Sequence, residues 1–189
     1  MITEGKLTEM QDTPIDTLDI RHFLGEDGVQ NTIKYSHLAN YNDIFELLPT
    51  DRSYKIILVE QKKGDGHWTC IVRYGKTICT FDSYGCQIDT ELKFVNRFMK
   101  RMLGQERHYL TDLLKNAPDD WTICYNAKKL QKLDNNIATC GKYCILFVTM
   151  VKDLLFTLED FLKFFKDRRA ETGLSNDELV SVWINNKKY

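Results

Sequence analysis

An apolar run in the second half of the chain limits the folds that this sequence can adopt. The run CILFVTMVKDLLF, residues 144–156, is apolar on nearly every side when it is wound as a helix. Such a helix must be covered by other elements, because it offers no polar face to water. The polar stretch LDNNIAT, residues 133–139, is typical of a loop and ends directly before Cys140. We therefore predict a buried, central helix that begins at about Cys140.

Two β-rich segments come earlier and differ in periodicity. SYKIILVEQ is apolar nearly throughout, which indicates a buried strand, and HWTCIVRY alternates, which indicates a strand with one face in the core. TICTFD follows after Gly75 and Lys76, a pair that favours the tight turn of an antiparallel hairpin. This hairpin places His67, at the start of one strand, beside Asp82, at the end of the other. WTICYN predicts a further strand.

Helical patterns lie before and after the central helix. DTELKFVNRFMKRMLG predicts one helix, residues 89–104, with an apolar stripe that faces the core. The stripe consists of Leu92, Val95, Phe98, Met99 and Met102. Thr157 is the expected N-cap of a later helix, and Ser175 with Glu178 forms the capping box of the last. Strands followed by helices predict an α+β fold, and the length of 189 residues predicts a single domain, residues 1–189.

Composition argues against several classes of protein. The net charge of −1 gives no bias toward nucleic acid or a membrane surface. The sequence has no apolar run of about 18 residues that would predict a transmembrane helix. Its start, MITEGKLTEMQDTP, does not have the pattern of a secretory signal. The six cysteines include no CxxC pair, so we expect reduced thiols in an intracellular protein with no metal, cofactor or membrane contact.

Cys140 has two interpretations. A free cysteine is often a small buried hydrophobe, so Cys140 could simply begin the core helix. The alternative is a nucleophile, because the dipole and unpaired N–H groups at a helix start lower the pKa of a thiol. The neighbouring Gly141 favours the second interpretation, since a glycine lets a substrate approach closely.

A nucleophilic cysteine also needs a base and donors for the oxyanion. Of the four histidines, His67 lies at a strand end where it can reach a cleft, with Asp82 beside it to orient the imidazole. The backbone N–H of Cys140 is one oxyanion donor, and the side-chain amide of Gln131 is the candidate for the second. The other interpretation of Gln131 is an exposed surface residue.

The order of these residues resembles one family of enzymes. The pattern is Gly-His-Trp on a strand, an acid followed by Ser-Tyr-Gly, a Gln, and Thr-Cys-Gly opening an apolar helix. It is similar to the adenain and SUMO-protease superfamily of cysteine proteases over about Lys55 to Phe156. The compact size and the YN, LQ and TCGKYC segments look most like the small maturation proteases of double-stranded DNA viruses, virophages and Maverick-type transposons.

This resemblance implies a fold, an activity and a set of site residues. The fold is papain-like, with the permuted order His, Asp, Cys and a mixed, mainly antiparallel sheet packed on the central helix. The implied catalytic residues are His67 as base, Asp82 as orienting acid, Cys140 as nucleophile and Gln131 as oxyanion donor. Trp68 and Gly141 are the expected substrate-binding residues. Cleavage is implied after small residues, in Gly-Gly or Gly-X-Gly sequences.

The sequence departs from the family pattern at one spacing and in its charge. Gln131 precedes Cys140 by nine residues (140 − 131), which is longer than usual in the family. Either the loop has an insertion, or Asn135 or Asn136 supplies the amide. We favour Gln131, because a loop accepts added residues at little entropic cost. The near-neutral charge differs from the basic adenoviral member, which uses DNA as a cofactor.

The expected function is therefore a cysteine endopeptidase that matures capsid or other structural precursors of a virus. The expected partners are that precursor as substrate and an activating peptide or nucleic acid, with the enzyme itself a monomer. The expected location is the host cytoplasm or viral factory and the virion, without secretion. Two alternatives stay open: an isopeptidase acting on ubiquitin-like proteins, and a non-enzymatic thiol or scaffold protein.

Overall fold

The fold is built around a five-stranded sheet, and the computed structural model describes residues 3–186. The strands are β1 (Thr32–Lys34), β2 (Tyr54–Lys62), β3 (Asp65–Tyr74), β4 (Thr77–Phe81) and β5 (Thr122–Tyr125). The α-helices are α1 (Glu4–Asp12), α2 (Thr17–Gln30), α3 (Ile44–Leu47), α4 (Arg97–Met102), α5 (Tyr109–Lys115), α6 (Cys140–Asp153), α7 (Leu158–Thr172) and α8 (Asn176–Asn186). Short 3₁₀ helices cover Tyr35–Asn40 and Thr90–Phe94.

The strands lie in the sheet in the order in which they occur in the chain. β3 pairs antiparallel with β2 and β4, whereas β1 pairs parallel with β2 and β5 pairs parallel with β4. The sheet is mixed, as predicted, but its antiparallel pairs are confined to the centre. Tight turns join the central strands, while helical connections lead to β2 and to β5 and let them return in a parallel direction. Gly75, with φ of 53°, makes the predicted turn between β3 and β4.

The helix α6 packs on one face of the sheet. It begins at Cys140, and its residues 141–151 are all buried, which confirms the predicted central helix. On the sheet, Cys70 and Val72 face this helix, and Phe81 stacks on Phe147 with ring centroids 4.8 Å apart. The alternation in HWTCIVRY therefore indicated the face toward α6 correctly, but the prediction of a single core face is wrong, because Ile71 is buried in a second cluster on the opposite face.

The opposite face of the sheet is covered by a second apolar cluster. Its buried members outside the sheet are Tyr35, Leu38, Ile44, Leu47, Leu48, Leu92, Val95, Leu110, Leu113 and Leu114. Ile57 and Val59 of β2 face this cluster, whereas Ile56 faces α6. Burial on both faces explains why β2 is apolar nearly throughout. Within residues 3–186, no helix is both long and apolar enough to cross a membrane.

The single helix predicted over residues 89–104 is wrong. The chain instead forms a 3₁₀ helix, Thr90–Phe94, and a separate short helix, α4. Asn96 has an extended backbone and its side chain accepts a hydrogen bond from the backbone N–H of Met99, so it caps a new helix in the middle of the predicted one. The break changes the direction of the apolar stripe, and Phe98 and Met102 are 70% and 66% exposed.

Candidate active site

Cys140 is the first residue of α6 and is half-buried. Burial raises the pKa of its thiol, but a hydrogen bond to His67 and the positive charge of that imidazole lower it. Hydrogen bonds from the backbone N–H groups of Trp68 and Gly141 lower it further, and the net pKa lies below the ordinary value of 9.0. His67, and after it the backbone N–H groups of Trp68 and Gly141, therefore favour a thiolate at Cys140.

The β3–β4 hairpin brings His67 and Asp82 together. His67 lies on β3 and Asp82 directly follows β4, and the Nε2 atom of His67 is 2.6 Å from Oδ2 of Asp82. Both side chains are buried. The other carboxylate oxygen, Oδ1, accepts a hydrogen bond of 2.7 Å from the backbone N–H of Tyr84. Because Asp82 accepts at Nε2, the second ring nitrogen, Nδ1, is the one left to face Cys140.

The groups on either side of the imidazole favour its doubly protonated, positively charged form. Burial lowers the pKa of His67, but the hydrogen bonds to Asp82 and Cys140, and the negative charges of both, raise it to about 10. A raised pKa on the base and a lowered pKa on the thiol favour a thiolate–imidazolium pair. Such a pair holds its nucleophile in the reactive form before any substrate arrives.

Gln131 is held in the wall of the same cleft and is only 1% exposed. The hydroxyl of Ser83 donates to its Oε1 over 2.7 Å, and its Nε2 donates to the carbonyl of Ile137 over 3.1 Å. These partners fix the orientation of the amide, because a carbonyl only accepts hydrogen bonds. Nε2 carries two hydrogens, and the contact with Ile137 uses one of them.

The two alternative donors occupy different positions. Asn135 and Asn136 are both exposed, although Asn135 lines the cleft. The backbone N–H of Asn136 donates to Asp134 over 3.1 Å, within a turn of the loop. The hydrogen bond from Gln131 to Ile137 shows how the longer loop folds back toward Cys140. Burial and orientation thus favour Gln131 as the amide that faces the cleft.

The cleft has a volume of about 940 Å³ and is lined by five of the six predicted site residues; the sixth, Gly141, is buried and does not line it. Its lining includes His67, Trp68, Asp82, Tyr84, Gln131 and Cys140. Trp68 is half-buried beside Gly141, where an added Cβ would contact the rings of Trp68 and clash with Ile15. Within residues 3–186, no group of three or more His, Cys, Asp or Glu side chains is placed to hold a metal ion.

One curated protein matches nearly the whole chain. "Uncharacterized protein V9" of Sputnik virophage is 31% identical over 169 residues, which span 89% of this chain and 92% of V9. The chain belongs to the V9 family. No protein-family model matches the V9-family chain.

Solved structures with a likeness to this V9-family chain include two states of SUMO protease Ulp1. The first has its catalytic cysteine oxidized to a sulfenic acid; the TM-score is 0.41 at 14% identity, with 100% of this chain and 84% of that chain covered. The second has the cysteine oxidized to a sulfinic acid; the TM-score is 0.39 at 14% identity, with 97% and 83% covered.

The structure also brings two residues into the V9-family site that the sequence analysis did not assign. The ring of Tyr84 stacks on the imidazole of His67, with centroids 4.9 Å apart and planes 23° apart. Ser83 is fully buried and orients Gln131. Both belong to the FDSYG segment, in which the sequence pattern assigns a role only to the acid. Sequence periodicity predicts side-chain direction only within helices and strands, so it gives no direction for the residues of such a turn.

Proposed function

We propose that this V9-family protein is a cysteine peptidase with Cys140 as nucleophile and His67 as general acid and base. The observation that carries the proposal is that the buried imidazole of His67 lies between the carboxylate of Asp82 and the thiol of Cys140. That thiol stands at the start of a buried helix and borders a cleft. A structural cysteine needs none of these neighbours.

In the first half of the proposed reaction, the Cys140 thiolate attacks the carbonyl carbon of the scissile peptide. The carbonyl oxygen becomes negative, and the backbone N–H of Cys140 and the second N–H of Gln131 Nε2 donate to it. The imidazolium of His67 then gives its proton to the departing amine, and the C–N bond breaks. The product is a thioester between Cys140 and the acyl part of the substrate.

In the second half, neutral His67 takes a proton from a water molecule, and the hydroxide attacks the thioester carbon. The same two donors stabilise the second oxyanion, and the thiolate leaves as the carboxylic acid forms. Asp82 accepts from Nε2 of His67 throughout, which holds the ring in place and stabilises its charged form. The enzyme ends as it began, with a thiolate and an imidazolium.

We further propose that the substrates are viral structural precursors cleaved after small residues, as the family resemblance implies. The permuted order of His67, Asp82 and Cys140 and the virophage source of V9 support this assignment. Trp68 lines the cleft beside Cys140, where a substrate without side chains would pass most easily, whereas Gly141 is buried against Ile15 and Trp68. The activator, the monomeric state and packaging in the virion are parts of the same proposal.

The proposal is tested by alkylation and peptide cleavage in parallel. Iodoacetamide at neutral pH should label Cys140 far faster than the other five cysteines, and His67→Ala should abolish that difference. The protein should also hydrolyse a fluorogenic peptide amide that ends in Gly-Gly. Equal, slow labelling of all six cysteines, with no hydrolysis, would show a non-enzymatic thiol protein.

A second arm separates the two kinds of peptidase. The purified structural precursors of the virus and a lysine isopeptide of a ubiquitin-like protein are incubated with the protein, and new termini are sequenced. Cleavage of the precursors at internal glycines supports the maturation protease. Cleavage of the isopeptide alone would assign the isopeptidase activity instead. His22→Ala is the matched control for His67→Ala in both arms, because His22 is exposed and lies outside the cleft lining. It should leave labelling and cleavage unchanged.

A further inference from the structure

A single buried carboxylate holds both ends of the loop between Gln131 and Cys140. Asp177, in the first turn of α8, is 4% exposed. Its Oδ2 accepts from the backbone N–H of Lys132 over 2.9 Å, and its Oδ1 accepts from the hydroxyl of Thr139 over 2.6 Å. Lys132 directly follows Gln131, and Thr139 directly precedes Cys140.

Two further hydrogen bonds connect the start of α8 to α6 and to the residues around Gln131. The hydroxyl of Tyr143, one turn into α6, also donates to Oδ1 of Asp177 over 3.2 Å. The next residue toward the N-terminus, Asn176, donates from Nδ2 to the carbonyl of Leu130 over 3.2 Å. The start of α8 therefore holds the residues on both sides of Gln131 and the N-terminal turn of α6. Burial raises the pKa of Asp177, while its hydrogen bonds oppose that effect.

Oxyanion stabilisation depends on the distance between its two donors. One proposed donor is the backbone N–H of Cys140, and the other is Nε2 of Gln131, which a long loop connects. A loop of this length does not by itself fix the separation of its ends. A misplacement of about 1 Å can lower a reaction rate about a hundredfold.

We propose that Asp177 is a positioning residue, whose carboxylate holds Gln131 and Cys140 at the separation that binding of the oxyanion requires. The inference rests on the proposed function, since it concerns the same reaction. Both oxygens are used, because donors reach the carboxylate from two different segments of chain. An amide at this position presents one acceptor oxygen. Its NH₂ group would either face the N–H of Lys132, which cannot accept, or donate to the hydroxyls, which would exchange two hydrogen bonds to a charged oxygen for weaker neutral ones.

The test compares Asp177→Asn with Ser181→Ala, a buried control on the same helix whose hydroxyl has no hydrogen-bond partner within residues 3–186. Two reactions of Cys140 are measured in each variant. Hydrolysis of the Gly-Gly peptide amide passes through an oxyanion, whereas alkylation by iodoacetamide displaces iodide at a saturated carbon and forms none.

Asp177→Asn should lower kcat for hydrolysis about tenfold to a hundredfold, with KM within about threefold of the wild-type value. The rate and pH midpoint of alkylation at Cys140 should stay close to wild type, because His67 and Asp82 are untouched. Ser181→Ala should change neither reaction. A kcat for folded Asp177→Asn within about threefold of wild type would overturn the inference.

Other outcomes are equally decisive. An equal fall in hydrolysis and alkylation, or new labelling of buried cysteines, would show that Asp177 only maintains the fold. If Asp177→Asn does not fold, Thr139→Val replaces it, since that change removes one donor and leaves the carboxylate bonded to Lys132 and Tyr143. Its kcat should fall about threefold to tenfold, and an unchanged kcat refutes the inference. Absence of hydrolysis by the wild type would instead refute the proposed function, and this inference with it.

Discussion

At the scale of single residues, the proposed chemistry depends on opposite shifts of two pKa values, which together favour a thiolate–imidazolium ion pair. The pKa of His67 rises to about 10 and that of Cys140 falls, because each group stabilises the charged form of the other. Asp82 contributes to the shift of His67 both through its hydrogen bond and through its charge. The ion pair is therefore favoured between the two pKa values, and we expect the protein to be active in that pH range.

Asp82→Asn tests this arrangement through the pH profile. Loss of the carboxylate lowers the pKa of His67, so the imidazolium is lost at a lower pH and the alkaline limb of kcat shifts downward. Activity at the optimum should fall about tenfold or more but remain measurable, while His67→Ala should retain almost none. Initial rates from pH 5 to 11 provide the measurement. An unmoved alkaline limb would mean that Asp82 does not set the pKa of His67.

The two cysteines of the TCGKYC segment should behave oppositely. Cys140→Ala should abolish hydrolysis and change the free energy of unfolding by less than about 2 kcal/mol, because only one sulfur atom at a half-buried site is removed. Cys144 is fully buried in the core, so Cys144→Ala should lower stability and keep the activity. Thermal melts and peptide hydrolysis on both variants decide the matter. If Cys144→Ala were inactive and Cys140→Ala active, the assignment of Cys140 as the nucleophile would be wrong.

At the scale of elements, the site is assembled from a hairpin, a helix start and the loop before that helix. The hairpin supplies His67, and the loop residues 131–139 fold back so that Gln131 contacts Ile137. The N-terminal segment is part of the same assembly. The backbone N–H of Ala138 donates to the carbonyl of Gln11 over 2.8 Å. Nζ of Lys142 donates to two further carbonyls of that segment, those of Met10 and Thr13.

Gln131→Ala should lower kcat about a hundredfold with little change in KM, which is the expected loss for one oxyanion donor. Asn135→Ala and Asn136→Ala serve as matched amide controls from the same loop, because both side chains are exposed. They should affect stability more than rate. Steady-state kinetics on the three variants check the assignment. A fully active Gln131→Ala beside an inactive asparagine variant would transfer the donor role to that asparagine.

Gly141→Ala should displace the N-terminal segment from α6. The new Cβ would clash with the side chain of Ile15, which is buried in the main core, and would press on Trp68. We expect a loss of about 1–3 kcal/mol in unfolding free energy, typical of overpacking, and reduced binding of substrate at Trp68. Chemical denaturation and KM measure the two effects. Gly5→Ala is the control, since a Cβ there meets nothing within 4 Å.

At the scale of the whole molecule, two apolar clusters cover the two faces of one sheet, and the cleft lies at the end of the β3–β4 hairpin. This packing also buries a titratable group that the proposed reaction does not use. Glu91 is 6% exposed in the cleft wall. Burial raises its pKa to about 8, and the charges of Asp82 and Asp89 add to that effect, while its own backbone N–H and His67 oppose it.

Glu91 should therefore make stability depend on pH. The neutral form is favoured in the folded protein, so its stabilising contribution is complete below the ordinary pKa of 4.5 and is lost as the pH rises through about 8. Between pH 6 and 9 the melting temperature of the wild type should fall more than that of Glu91→Gln, by about 4 °C or more. Glu106→Gln, at an exposed position, is the control. Parallel melting curves for wild type and Glu91→Gln would contradict the expectation.

Local patterns in the sequence determined much of the fold. The run after Cys140 required a buried helix because it has no polar face, and the spacing across Gly75 required His67 and Asp82 to meet. The caps at Thr157 and Ser175 are where the sequence predicts them, since capping uses residues within one turn. The same locality explains the error over residues 89–104. The apolar spacing continues across the Asn96 cap, so periodicity alone predicts one helix where the chain forms two.

The parts that only the tertiary structure decided depend on residues far apart in the chain. Gln131 is turned by Ser83, 48 positions earlier, and the loop ends are held by Asp177, 38 positions after Thr139. In the sequence, Asp177 is one more acid in the first turn of a capped helix, and nothing local distinguishes it from an exposed one. Periodicity and capping describe neighbours along the chain. Asp177 meets this loop only when α8 packs beside α6. That packing removes water from between the carboxylate and the loop, which strengthens their hydrogen bonds.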